Sequence, residues 1–174
     1  MKKWLILLII FAAVAIPAQA QSPIFSLDIG AALNIGLPPP SSNPLLSTIV
    51  TLMTLRFGPL VDLTFILNDM MNVGVEAGLY IMAIEILGTS ILFVELPIRA
   101  VFRLYLGPFM LQPHAGIWIP IAGMAGATNV LFDVGAKVGI GSKVFVFFLE
   151  ASYVFPPAGY PRIGLGFLIN LLRV

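Results

Sequence analysis

The feature that most constrains this chain is the alternation of polar and apolar residues within strongly hydrophobic segments. Between residues 26 and 36, the even positions are Ser, Asp, Gly, Ala, Asn and Gly, whereas the odd positions are Leu, Ile, Ala, Leu and Ile. Residues 132–140 and 162–171 repeat this pattern. A period of two places the polar side chains on one face of a β-strand and the apolar side chains on the other. The alternation therefore predicts strands that separate a polar space from an apolar one.

The composition excludes most soluble classes of protein. Apolar residues make up 59% of the chain and charged residues 10%, and the mean hydropathy is +1.04. Soluble domains typically have roughly 45–50% apolar residues and 25% charged residues. Disordered chains and nucleic-acid-binding tails need polar or basic sequence. The chain has no cysteine, which excludes a disulfide framework and a thiolate metal site. A membrane protein remains, and only helical bundles and closed β-barrels can span a bilayer.

Residues 1–20 are predicted to be a cleaved signal peptide. Lys2 and Lys3 precede an apolar stretch over 4–16, and Ala18-Gln19-Ala20 has the small residues of a cleavage site. The alternative, a transmembrane anchor, needs ~20 apolar residues, and the polar residues from Gln19 onward end this run too early. The mature chain, residues 21–174, would carry seven basic and eight acidic residues. It is therefore not basic, and no nucleic-acid partner is expected.

The mature chain is predicted to be all-β, an eight-stranded antiparallel up-and-down transmembrane β-barrel. Tight links are expected at Asn68-Asp69, Gly107-Pro108 and Gly141-Ser142, and longer connections at 38–44, around 88–89, at 122–129 and at 156–161. Outer-membrane barrels have short periplasmic turns and longer external loops, so both termini are expected in the periplasm. A polytopic α-helical protein is the structural alternative. The predicted strands are 24–36, 48–67, 71–82, 90–106, 108–120, 130–140, 143–155 and 162–172.

Charged residues within the predicted strands share one parity, which assigns them to the lumen of the barrel. A helical bundle has no reason to sort charges by odd and even position, and it would place them singly in lipid at a cost of several kcal/mol each. Six acids face five bases, so pairing within the lumen is expected. The predicted lumen network is Asp28, Arg56, Asp62, Glu76, Glu95, Arg99, Arg103, His114, Asp133, Lys137, Glu150 and Arg162.

Height above the nearest tight turn predicts three mixed layers of charge in the lumen. Arg56, Glu95 and Arg162 are expected high, and Asp28, Asp62, Arg103 and Lys137 low. The remaining five residues are expected near the middle. Ten glycines share the lumen parity, which suggests that they make room for long side chains, because an eight-stranded barrel is only just wide enough for its own side chains.

With this leader, strand pattern and charged interior, residues 24–174 resemble the small eight-stranded outer-membrane barrels. These are the family of outer membrane protein X, outer membrane protein W and the barrel domain of outer membrane protein A. The resemblance implies an outer-membrane location, a monomer surrounded by outer-membrane lipid, and biogenesis that involves periplasmic chaperones and the barrel-assembly machinery.

The predicted function is a structural or membrane- and surface-interaction role with a largely filled lumen. One alternative is passage or binding of small hydrophobic molecules, as the resemblance to outer membrane protein W implies, with Leu60, Ile66, Val101, Val146 and Phe148 on the lumen parity. A further alternative is a lipid-A-modifying enzyme. The only histidine is His114, which could meet Ser152 and Glu150 across strands. A lone histidine with scattered carboxylates has no metal-ligand spacing, so no catalytic, cofactor or metal site is predicted.

Overall fold

The chain folds into one closed antiparallel sheet. A computed structural model describes residues 24–37, 55–86, 89–122, 130–155 and 159–173. Strands that are neighbours around the barrel pair antiparallel, and the last strand pairs with the first. The strands are β1 (Ile24–Gly36), β2 (Arg56–Ile66), β3 (Met71–Gly78), β4 (Tyr80–Ile86), β5 (Thr89–Leu106), β6 (Phe109–Ala122), β7 (Leu131–Gly141), β8 (Phe145–Val154) and β9 (Tyr160–Arg173).

The segments β3 and β4 together form the third strand of an eight-stranded barrel. They are separated only by Leu79, and both pair with β2 and with β5. Their register against β2 does not shift. Leu60 pairs with Gly78, and Phe57, three residues before Leu60, pairs with Ile81, three residues after Gly78. The Leu79 amide donates to the Pro59 carbonyl at 3.1 Å. Pro59 has no N–H to return the bond, which explains the local break in the ladder.

The strands are tilted, and the stagger of the barrel can be measured by following paired residues around it. The path begins at Ser26 in β1 and returns to β1 at Gly36, ten residues further along. A stagger of this kind is what allows a sheet to close on itself. The successive partners are Ser26, Thr64, Gly74, Val101, His114, Gly135, Ser152, Arg162 and Gly36.

The barrel is polar inside and apolar outside, the reverse of a soluble domain. Sixteen of the buried residues in the described ranges are polar or charged, whereas eleven are hydrophobic. The outer face presents large apolar side chains such as Phe57, Phe132 and Leu149, which are 60%, 60% and 67% exposed. Soluble proteins rarely expose a continuous apolar surface of this size, whereas transmembrane barrels present one to the surrounding lipid. The predicted transmembrane β-barrel is confirmed.

The helical alternative is wrong. In the part of the chain that the structure describes, every segment of regular secondary structure is a strand. Across the described ranges, no helix is long and apolar enough to cross a membrane.

Three tight turns meet at one end of the barrel. Gly107 has a φ of 64°, which glycine adopts without strain, and it joins Leu106 to its partner Phe109 with Pro108. In the other two turns a side chain closes the loop. The Asn68 Oδ1 atom accepts from the Met70 and Met71 amides at 2.8 and 2.9 Å, and Ser142 accepts from two amides at 3.2 Å. Short side-chain hydrogen bonds therefore fix these turns.

Some strand boundaries differ from prediction. Among the described residues β2 begins at Arg56, and residues 48–54 of the predicted strand lie outside the described ranges, while β4 continues to Ile86 rather than ending at 82. β5 is 18 residues long and has a register shift between Val94 and Glu95, near Pro97. A bulge is one way in which a strand accommodates a proline. The predicted leader and the links at 38–44 and 123–129 lie outside the described residues.

Candidate functional site in the barrel lumen

The twelve charged or ionisable residues assigned to the lumen by parity all face the interior. Ten of them are at most 4% exposed. The other two, Arg56 and Glu95, have side chains that are 11% and 16% exposed. The period of two in the strands places them there, because residues at i and i+2 share a face. The ten buried residues are Asp28, Asp62, Glu76, Arg99, Arg103, His114, Asp133, Lys137, Glu150 and Arg162.

Arg99 in β5 is the centre of the largest cluster. Its guanidinium lies 2.9 Å from Glu76 Oε1, 2.7 Å from Asp133 Oδ2 and 2.9 Å from Glu150 Oε1. These carboxylates belong to three other strands, β3, β7 and β8. Gly116 is the direct partner of Arg99, and a Cβ there would come within 2.2 Å of the Ile98 carbonyl and 2.7 Å of Arg99 Cγ. A side chain at position 116 would therefore meet both the backbone of β5 and the side chain of Arg99.

Arg103 organises a second cluster toward the end with the tight turns. It bonds to Asp28 at 2.5 Å and also to Asp62, and its Nε donates to Gln112 Oε1 at 2.6 Å. Asn170 donates to Asp28 Oδ1 at 2.6 Å from β9. One arginine is thus shared by two buried aspartates.

Gln112 and Lys137 connect the two clusters. The Gln112 amide donates to Asp62 Oδ2 and to Glu76 Oε2, each at 3.3 Å, and Lys137 bonds to Glu76. The interior network is therefore continuous from Asp28 to Glu150.

Two further arginines lie toward the opposite end. Arg56 and Glu95 form a bidentate pair with distances of 2.5 and 3.0 Å. Arg162 bonds to Asp133 at 2.9 Å, and its guanidinium carbon lies 3.6 Å from the centroid of the Trp118 ring. Trp118 also stacks on Tyr80, with ring centroids 5.0 Å apart. Aromatic rings and arginines fill this part of the lumen together.

Two ion pairs join residues of different predicted layers. Arg162, expected high, bonds to Asp133, expected near the middle, and Lys137, expected low, bonds to Glu76, expected near the middle. The stagger of ten residues explains both, because equal distances from the turns do not mean equal heights in a tilted barrel. The glycine prediction also needs correction in part. At Gly58 and Gly74 a Cβ would meet a neighbouring backbone carbonyl, at 1.8 and 2.1 Å, rather than a long side chain.

His114, Asp133 and Glu150 come together as a possible cation site. One ligand atom from each lies within 4.8 Å of the others, and His114 Nε2 is 3.6 Å from Glu150 Oε1. However, Arg99 already bonds to both carboxylates, and Arg162 bonds to Asp133. A metal ion would have to sit beside two guanidinium groups that neutralise its ligands. The geometry therefore favours an ion-pair network.

Several lumen residues were missed by sequence reasoning that considered charge alone. Gln112, Trp118, Tyr80 and Asn34 are all at most 1% exposed. Parity would have found Gln112 and Trp118, which lie at even distances from His114 on the same strand. Gln112 hydrogen-bonds to the charged groups, and the Trp118 ring lies against the Arg162 guanidinium.

No protein-family model matches this chain, and no curated protein matches it by sequence. The chain is similar in structure to Ail, the attachment invasion locus protein of Yersinia pestis, with 12% identity and a TM-score of 0.55 over 88% of this chain and all of Ail. It is also similar to the N-terminal β-barrel domain of Pseudomonas aeruginosa OprF, with 13% identity and a TM-score of 0.54 over 84% of this chain and 97% of that domain.

A third similar structure is Neisserial surface protein A, with 10% identity and a TM-score of 0.50 over 86% of this chain and all of that protein. Identities this low carry information about the fold alone. They agree with the closed eight-stranded antiparallel sheet and with its apolar outer face. This chain therefore has the fold of the small eight-stranded outer-membrane β-barrels.

Proposed function

We propose that this chain is an outer-membrane barrel with a structural or surface-interaction role, and that its own side chains close its lumen. The observation that carries the proposal is the position of Arg99. Its guanidinium bonds to carboxylates on three other strands, with distances from 2.7 to 2.9 Å, and all four side chains are completely shielded from solvent. A network that joins opposite walls in this way blocks the path that a solute would need.

The apolar residues of the lumen support the same reading. Leu60, Val146 and Phe148 pack into one buried cluster with Met110, Trp118 and others, and each is at most 4% exposed. They therefore fill the interior. An apolar groove of about 710 Å³ is lined mainly by outward-facing residues of β1, β7, β8 and β9, such as Leu149 and Leu165. Its position faces the surrounding lipid, so it does not favour passage of small hydrophobic molecules through the lumen.

The fold and the predicted leader together support a proposal for location and biogenesis. Export would use the leader at residues 1–20, and cleavage would release residues 21–174. The similar proteins include Ail, which is described as an outer membrane protein, and a Neisserial surface protein. We infer a monomer surrounded by outer-membrane lipid, with both termini in the periplasm, that periplasmic chaperones and the barrel-assembly machinery deliver and insert.

An enzymatic role is not the function that the lumen supports. A lipid-modifying hydrolase would need Ser152 and His114 to act on a substrate, yet both are buried inside the barrel, at 8% and 4% exposure. Ser152 also accepts a hydrogen bond from Arg162 Nε at 3.3 Å. The serine and the histidine are therefore parts of the packed interior, away from the lipid that such an enzyme would modify.

Conductance across a planar bilayer tests the proposal. Purified wild-type protein should give no stable conductance, because the ion pairs and the apolar cluster occupy the lumen. Arg99→Ala should produce a small leak, since it removes the side chain that crosses the lumen. Leu149→Ala, on the lipid face, should behave like the wild type. Steady conductance of the wild-type barrel would contradict a closed lumen and would make passage the better function.

A further inference from the structure

Three carboxylates lie side by side on adjacent strands of the barrel wall. Asp28 in β1 is the direct cross-strand partner of Asp62 in β2, and Asp62 is the direct partner of Glu76 in β3. All three face the lumen and are at most 3% exposed. Like charges in directly opposed positions repel one another, and the repulsion grows in a low-dielectric interior. The lumen must therefore supply positive charge at this row.

The cationic side chains fall one short of the carboxylates. Arg56 and Glu95 neutralise each other near one mouth. Among the remaining described lumen residues, five carboxylates face four cations, and all nine are almost completely buried. An uncompensated buried charge costs several kcal/mol, so the surplus is not left as a bare charge. The nine are Asp28, Asp62, Glu76, Asp133 and Glu150, with Arg99, Arg103, Lys137 and Arg162.

The contacts locate the surplus at the two aspartates. Three of the carboxylates can each be assigned one cationic partner: Asp133 is paired with Arg162, Glu150 with Arg99, and Glu76 with Lys137. Asp28 and Asp62 share the single guanidinium of Arg103. Asp28 has further donors, since Asn170 bonds to its Oδ1 at 2.6 Å and Ser26 lies at 3.4 Å. Asp62 Oδ1, by contrast, is buried and has no hydrogen-bond partner in the described part of the chain. Asp133 Oδ1 and both Glu150 oxygens also lack a hydrogen-bond partner there. However, Asp133 has ion pairs with two arginines, and Arg99, the partner of Glu150, is otherwise shared with carboxylates that have a second cation.

We propose that the barrel interior binds one proton at the carboxyl row, carried on Oδ1 of Asp62. A neutral Asp62 brings the nine buried groups to balance. It also turns an acceptor without a partner into a donor within the row of carboxylates, where Glu76 is the direct cross-strand partner of Asp62. Asp62 Oδ2 stays an acceptor for Arg103 and Gln112.

The groups that face Asp62 come from every neighbouring element. They are Asp28 on β1, Glu76 on β3, Arg103 on β5, Gln112 on β6 and, through Glu76, Lys137 on β7. His114 is a further side chain able to hold an additional proton. It faces Asp133 and Glu150, which Arg162 and Arg99 already neutralise. The surplus charge is therefore nearer to Asp62 than to His114.

Infrared spectroscopy of the full barrel in detergent or lipid tests the proton directly. The wild type at neutral pH should show the carbonyl stretch of a protonated carboxylic acid, and this band should shift in heavy water. Asp62→Asn should lose the band. Asp69→Asn, in an exposed turn outside the lumen, is the matched control and should retain it, because it leaves the charge of the buried groups unchanged. Absence of the band in the wild type would overturn the proposal, whatever the variants do. Loss of the band in Asp28→Asn with retention in Asp62→Asn would also overturn it, because the proton would then be on Asp28.

Stability gives a second readout, because a proton bound only in the folded state makes stability depend on pH. The folded barrel keeps the proton above pH ~4, the ordinary pKa of an aspartate, whereas the unfolded chain releases it. Wild-type stability relative to Asp62→Asn should therefore fall as pH rises from ~4 to neutrality. At neutral pH, the urea midpoint of Asp62→Asn should equal or exceed that of the wild type, and the midpoint of Asp133→Asn should be lower.

A bound sodium ion is the competing way to balance the charge. It would give no carboxylic-acid band, and wild-type stability would rise with sodium chloride more than with choline chloride. Either result would overturn the proposal that Asp62 is protonated. The conductance test is separate, because a lumen can be closed whether or not Asp62 carries a proton.

Discussion

At the scale of single residues, Arg99 has the largest effect on the interior, because three carboxylates depend on it. Glu76 and Asp133 have second partners in Lys137 and Arg162. Glu150 has no other strong cationic partner among the ion pairs of the described residues, since His114 lies 3.6 Å away and makes no hydrogen bond to it. Removing Arg99 would therefore leave Glu150 as an uncompensated buried charge.

Arg99→Ala should destabilise the barrel by about 3–5 kcal/mol, the usual cost of removing one partner of a buried ion pair. Urea unfolding in lipid vesicles, followed by the loss of strand circular dichroism, measures the change. Arg99→Ala combined with Glu150→Gln should recover part of the loss, because the stranded charge is removed with its partner. Unfolding of the single variant at the wild-type midpoint would show that Arg99 is not part of a paired network.

Parity predicted which residues face the lumen, but it could not predict their partners. The position of Asp28 or Lys137 on the inner face depends only on the two-residue period along its own strand. Its partner depends on the stagger between strands, and this is set by how the whole sheet closes. Lys137 therefore meets Glu76 rather than the neighbours expected from chain position alone.

At the scale of strands and turns, prolines mark the places where sequence pattern and hydrogen bonding disagree. Alternation predicted one strand over 71–82, and the structure has two segments separated at Leu79. The cause is Pro59 on the neighbouring strand, so it cannot be found in the broken segment itself. Bulges such as the one at Val94 and Glu95 are similarly invisible to a two-residue pattern.

Pro59→Ala should restore the missing bond, because the new amide can donate to the Leu79 carbonyl. The hydrogen bond is worth about 0.5–1.5 kcal/mol, and the added freedom of the unfolded chain offsets about 0.4–1 kcal/mol. Stability should change little, while the amide introduced by the substitution should be strongly protected from hydrogen exchange in NMR spectra. Val61→Ala, on the same face of β2, adds no amide and serves as control. Rapid exchange of the introduced amide would contradict the proposed cause of the break.

The turns and connections predict the orientation of the barrel. Cysteines placed at Asp69 or Ser142, in the tight turns, should be inaccessible to a membrane-impermeant label on intact cells. Cysteines at Ser41 or Gly126, which lie outside the described residues in the longer connections, should react. The reason is that the short turns of such barrels face the periplasm. The opposite labelling pattern would show that the barrel is inserted with its turns outward.

At the scale of the whole molecule, the sequence predicted the architecture better than its details. The eight barrel strands could be recognised because lipid on one side and a polar lumen on the other impose the alternation on every strand. The division of the third strand at Leu79 and the register shift in β5 could not, since they depend on hydrogen bonding with the neighbouring strands. The candidate site was predictable as a set of lumen residues, whereas its two clusters and the bridge through Gln112 required the closed barrel.

The burial of Trp118 in the lumen makes its intrinsic fluorescence a probe of the barrel interior. The chain has two tryptophans, and Trp4 lies in the segment expected to be removed on export, so the mature protein would retain only Trp118. That indole is 1% exposed and lies between Tyr80 and Arg162. Its fluorescence should be insensitive to brominated lipids, which quench indoles in the acyl-chain region. Phe147→Trp in a Trp118→Phe background places an indole on the lipid face and should be strongly quenched. Any rearrangement of the interior then changes the emission of a single residue without an added label.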